Sequence, residues 1–228
     1  MTKPVSSLRD LWPLYALRLR TGDLELRYPT EAELPAFADI IEAGIHPPGE
    51  MPFGMAWTEL PSERRNLESY QWWMGSRGRW SVDDWTVTLG VWEDGRAVGF
   101  QDLRGPRFPT FRTVATGSWL GLAFQGRGIG KLMRQAALTL AFDHLGARIA
   151  ETEAFLDNPA SNRVSLGVGY EPNGFGELAP NGIPRTTQKF RLTLDGWRAR
   201  PRPPVTVEGL ESCVHLFGLG SEVRDRAG

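Results

Sequence analysis

The chain has 228 residues, 41% hydrophobic and 23% charged, with a formal net charge of −1. These proportions describe a globular protein of one large domain, or one domain with an appendage, and they lack the basic excess of an electrostatic nucleic-acid binder. No run reaches the roughly 18 apolar residues of a membrane span. The start, "MTKPVSSLRD", carries no apolar stretch suited to a signal peptide, and the single cysteine, Cys213, fits a reducing compartment. The expectation is a cytoplasmic protein with neither membrane nor nucleic acid as partner. His46, His144 and His215 are scattered without ligand spacing, so no metal is expected.

Residues 17–30 read as two short strands around the turn Thr21-Gly22-Asp23. A helix is predicted over 30–44, with Thr30 as N-cap, Glu33 completing a capping box and Gly44 as the stop. A Pro/Gly/Met-rich loop at 45–60 precedes a second helix at 61–77. Alternating Trp85, Val87, Leu89 and Val91 before Glu93-Asp94-Gly95 predict a hairpin over 84–103. A strand at 113–124 then leads through a glycine cluster into a helix from about 127 to 145. A strand at 147–156, a short helix at 158–170 and a strand at 186–194 follow.

The order is two strands, two helices, then three antiparallel strands whose last member opens a strand–helix–strand–helix–strand series. The unit from 113 to 156 implies a right-handed parallel crossover in a mixed sheet. The fold class is three-layer α/β, with one domain over 1–195. Residues 196–228 form a Pro/Arg-rich spacer and an apolar tail. Val207, Leu210, Val214, Leu216 and Phe217 in that tail are expected to dock, on this domain or on a second copy as a homo-oligomer.

"AFQGRGIGKL" at 123–132 is the most informative stretch. Gly126 and Gly130 are separated by three residues where a Walker loop needs four, and Leu132 follows Lys131, which excludes that loop; the alternation Gly126-Arg127-Gly128-Ile129-Gly130 fails the dinucleotide fingerprint. What remains is a nest of unhindered N–H groups at a helix start, flanked by Arg127 and Lys131: an anion site.

Gln125-Gly126-Arg127-Gly128-Ile129-Gly130 resembles the Q/R-x-x-G-x-G/A motif of the GNAT acyltransferase superfamily. Asn158, Ser161, Val164, Gly169 and Tyr170 resemble the second motif of its ribosomal-protein N-acetyltransferase (Rim) branch. The resemblance covers about 15–195 and implies a GNAT fold. It also implies an acyl-coenzyme A cosubstrate with its pyrophosphate on residues 125–131, its pantetheine arm along Trp119-Leu120-Gly121-Leu122, and contacts from Asn158 and Ser161. The acceptor is an amine of a protein or small molecule.

An ammonium must lose a proton before it attacks, and a nearby carboxylate supplies that help. Glu151 and Glu153 share one face of the 147–156 strand, and Glu153 holds the position that resembles the Rim-type catalytic glutamate. Where many relatives carry a tyrosine that protonates the leaving thiolate, this chain has Ser165; Ser161 is the other hydroxyl. The loop 49–57 with Trp72 and Trp73 is expected to wall the acceptor pocket. Acetyl is the leading acyl group. Succinyl would need an arginine facing the pocket, for which Arg104, Arg107 and Arg112 are the candidates. A coenzyme A-binding sensor without catalysis is the alternative of a different class.

Overall fold

The computed structural model describes residues 5–219. In chain order its elements are α1 (Leu8–Leu11), β1 (Arg18–Thr21), β2 (Leu24–Arg27), α2 (Leu34–Ala43), α3 (Ser62–Gly78), β3 (Asp84–Glu93), β4 (Arg96–Pro106), α4 (Phe108–Phe111), β5 (Thr113–Leu120) and α5 (Ile129–Thr139). Then follow β6 (Ile149–Phe155), α6 (Pro159–Val168), β7 (Glu171–Leu178), β8 (Arg185–Thr193), α7 (Leu194–Arg198), β9 (Thr206–Glu208) and α8 (Leu210–Cys213). A π turn over Leu140–His144 extends α5.

All strands join one nine-stranded sheet in the order β7-β8-β6-β5-β4-β3-β2-β1-β9, antiparallel except for β5 beside β6. This is the mixed sheet with one parallel pair that the resemblance implies. Alternation along the strands divides the core. Trp85, Val87, Leu89 and Leu103 join the larger cluster with Met133, Ala136 and Leu140 of the α5 segment. Phe100 of β4 joins Phe37 of α2 and Trp73 of α3 in a smaller one. The capping box at Thr30 forms, Glu33 accepting from the Thr30 N–H at 2.9 Å, and a short 3-10 turn precedes α2.

The strand predicted over 113–124 stops at Leu120, and Leu122–Phe124 form a 3-10 turn instead. The N–H of Leu122 donates to Gly44 at 3.0 Å, so the chain here packs beneath the end of α2. β7 is not legible in the sequence. Pro172, Gly174 and Gly176 interrupt it, and it survives only because it lies at the sheet edge with six of its eight residues exposed.

The segment after 195 is part of the same core. β9 pairs with β1, and Arg20 joins Glu208 at 2.6 Å. Phe217 is wholly buried, its ring 5.0 Å from Trp85 and 5.5 Å from Trp80. The apolar side chains that suggested self-association cover this chain's own sheet, so they give no motive for an oligomer. Residues 1–4 and 220–228, the ends of the expected domain and tail, lie outside the described residues. Phe217→Ala is expected to lower unfolding stability by about 3–5 kcal/mol, measured by urea denaturation; a loss below 1 kcal/mol would mean the tail is not held.

Candidate active site

β5 and β6 pair over only three positions, Thr113↔Ile149, Val114↔Ala150 and Ala115↔Glu151. β5 continues to Leu120 against β4, and β6 continues to Phe155 against β8, so the two strands diverge. Thr152 Oγ1 donates to the Thr116 carbonyl at 3.1 Å and closes the apex of the split. Beyond it, the inner edge of β5 offers strand backbone with no strand partner, a surface that an amide-bearing arm can extend.

A cleft of about 1670 Å³ opens over this split. Its lining includes the α5 amino terminus, Asn158 at the N-cap of α6, the loop 45–57 and α3. Gly126 and Gly128 hold φ values of +74° and +85°, which only glycine adopts without strain, and a Cβ at either would meet nothing within 4 Å. The bare backbone therefore faces open space beside the first turn of α5, where Lys131 and Leu132 donate to the Gly128 carbonyl and the N–H groups before them have no intrahelical acceptor. Lys131 lines the cleft. These residues fit a diphosphate.

The other predicted contacts divide. Trp119, Leu120, Gln125, Asn158 and Ser161 line the cleft. Gln125 Nε2 donates to the carbonyls of Ile45 and Leu120, both at 2.9 Å, bracing the loop. Asn158 Oδ1 accepts from the Ser161 N–H at 3.1 Å, so the Asn-x-x-Ser pattern is also the N-cap of α6. Arg127 pairs with Glu93 at 2.9 Å on the β3–β4 hairpin. Ile129 is buried in the core. Gly121 is bare for packing: a Cβ there would sit 2.6 Å from Ile40 Cγ2. With Leu122 it lies past the strand, so the open strand edge ends at Leu120. Ser165 is fully buried and donates to the Ser161 carbonyl at 3.1 Å, outside the cleft; of the two hydroxyls, only Ser161 reaches it.

Glu151 and Glu153 both line the cleft. Glu151 is held by Arg191 at 2.8 Å. Glu153 is exposed and accepts from Thr187 Oγ1 at 3.1 Å.

Across the split lies an acid that sequence reasoning missed. Asp102 of β4 stands opposite Gly117 of β5, whose absent side chain leaves the carboxylate open to the split; Oδ2 would be 3.8 Å from a Cβ at 117. Its Oδ1 is buried and accepts no hydrogen bond. Burial pushes the carboxyl up to about 7, with Arg104 pulling the other way. The signal in sequence was an acid within a strand, the same one that drew attention to Glu153.

On the acceptor side, Trp73 stacks on Phe100 at 5.1 Å and Phe100 lies 5.5 Å from Trp119. Phe53, Met55, Trp57 and Trp72 also face the cleft, whereas Met51 is buried and its carbonyl is pinned by Arg185 at 2.7 Å. Among the described residues no group of His, Cys, Asp or Glu is arranged to hold a metal, and no helix is long and apolar enough to cross a membrane.

Residues 23–171 match the acetyltransferase (GNAT) domain family. The chain belongs to that family. It is accordingly an acyl-coenzyme A-dependent N-acyltransferase. Among solved structures, this GNAT chain is similar to Mycobacterium smegmatis RimJ in complex with CoA-disulfide, at 19% identity and TM-score 0.67 over 88% of this chain and 92% of that one. A RimL ribosomal L7/L12 alpha-N-protein acetyltransferase in complex with coenzyme A matches at 19% and 0.60, over 78% and 99%. The microcin C7 self-immunity acetyltransferase MccE in complex with acetyl-CoA and AMP matches at 17% and 0.58, over 75% and 92%.

Proposed function

We propose that the enzyme transfers an acyl group, acetyl in the simplest case, from acyl-coenzyme A directly to a primary amine of a protein or small molecule. The observation that carries this reading is the split between β5 and β6 lying beside the open glycines of α5. The diphosphate rests on the N–H groups of residues 126–130 with Lys131 beside it. The pantetheine arm adds to the β5 edge up to Leu120, which brings the thioester to Gly117, opposite Asp102.

Asp102, in place of the Glu153 expected from sequence, takes the proton from the acceptor ammonium. Its buried oxygen and raised pKa match a base that works near neutrality, whereas Glu153 is exposed and already hydrogen-bonded. Glu153 instead draws the ammonium to the mouth of the split. The freed amine attacks the thioester carbonyl; the C–N bond forms, the C–S bond breaks, and the second proton of the attacking nitrogen passes to the departing thiolate, relayed by Ser161 or solvent. The RimJ and RimL likenesses support a protein amino terminus as one acceptor to try first.

Calorimetry with acetyl-coenzyme A, followed by thiol release against an amine and peptide library, tests this. Saturable binding and turnover on at least one amine are expected. Binding without turnover on any acceptor would favour the coenzyme A sensor, and no binding would end both readings.

A further inference from the structure

Among the residues lining the cleft is a charge that acetyl transfer does not use. Arg134, on the second turn of α5, is 3% exposed and lines the cleft. Its Nη2 donates to Ser118 Oγ at 3.0 Å, while its Nε and Nη1 are buried with no hydrogen-bond partner. Among the described residues no carboxylate pairs with it. The groups around it are hydroxyls: Ser118, and Tyr170, whose phenol interacts with the guanidinium and also meets Thr116 Oγ1 at 3.1 Å. A guanidinium withdrawn from water is costly unless an anion accompanies it. A buried donor left unengaged in a cleft points to a group that arrives with the ligand.

Ser118 fixes the place. It lies on β5 one residue from Gly117, beside the stretch on which the thioester rests in the function proposed above, on which this inference depends. Ser118 and Asp102 occupy opposite faces of the sheet, since Asp102 pairs with Gly117 and Ser118 with Gln101. The amine therefore approaches from the Asp102 face while the acyl chain can extend to the other. Of the three arginines suspected from sequence, Arg104 lies on the Asp102 face. Arg107 packs on Phe111 at 4.4 Å, and Arg112 donates to the Leu145 carbonyl at 3.3 Å; neither lines the cleft.

We propose that Arg134 and Ser118 form an acyl-selecting subsite that takes the distal carboxylate of a dicarboxylic acyl group, such as succinyl or glutaryl. The carboxylate accepts from Nε and Nη1, which make no well-formed hydrogen bond within the protein, and acetyl leaves them so.

The test is calorimetry on the full chain with coenzyme A, acetyl-coenzyme A, succinyl-coenzyme A and glutaryl-coenzyme A. A charge-assisted hydrogen bond at a buried site predicts a dicarboxylic thioester bound roughly 10- to 100-fold more tightly than acetyl-coenzyme A. Arg134→Met is expected to abolish that preference while acetyl-coenzyme A affinity stays within about threefold, and Arg134→Lys to restore part of it. Equal affinity of the wild-type chain for all thioesters overturns the subsite, as does a preference that survives Arg134→Met. Should that variant not fold, the wild-type comparison decides alone. Failure to bind any coenzyme A species refutes the proposed function, whereas binding without acyl preference refutes only this subsite.

Discussion

Gly128→Glu is expected to abolish coenzyme A binding while leaving the chain folded. At φ +85° a side chain costs about 1–2 kcal/mol, the ordinary cost of left-handed backbone for an L-residue. No atom lies within 4 Å of the new Cβ, so no clash adds to it. In the proposed function the diphosphate settles in that same open space. A carboxylate there fills the nest and repels the ligand's charge. Losing two charge-assisted hydrogen bonds, each about 1.5–3 kcal/mol, lowers affinity by roughly 100-fold or more. Calorimetry reads the affinity and thermal unfolding reads the fold. A folded variant with wild-type affinity would place the diphosphate elsewhere.

Asp102→Asn is expected to lower turnover by about 10²–10⁴ while coenzyme A affinity is unchanged. Only the carboxylate form accepts a proton, so the wild-type rate should rise with pH and level off above about 7. Stability should move the other way. The carboxyl titrates at about 7 in the folded chain against an ordinary 3.8, so between those values the native state holds a proton that the unfolded chain has lost. Stability from this group therefore falls as pH rises through that window. Asparagine stays neutral throughout. The variant should melt above wild type at pH 8 and alongside it near pH 4, trading activity for stability. Glu153→Gln, by contrast, should raise the KM for the amine with kcat largely retained. If Glu153→Gln removes kcat and Asp102→Asn does not, the two carboxylates exchange roles.

Much of the fold was legible because it rests on local rules. The hairpin of β3 and β4 announced itself by alternation and Asp94-Gly95, and the capping box at Thr30 by residue type and spacing. The glycine cradle was legible too, since positive-φ backbone at a helix start demands glycine. β7 was hidden because an exposed edge strand needs no apolar face. Arg134 was hidden within a helix whose pattern read as amphipathic; nothing local distinguishes a buried arginine from a surface one.

What the sequence carried by itself was the family motif, the order of the main strands and helices from 17 to 170 and the glycine cradle at the start of α5, each written in neighbouring residues. Only tertiary structure decided that Gly121 serves packing against Ile40 and that Ser165 is turned away from the cleft. It also brought Asp102 to the split, and Arg134 to the cleft on the opposite face of the sheet. The reason is that burial and strand register set the environment of a charge, and both are made by residues distant in the chain.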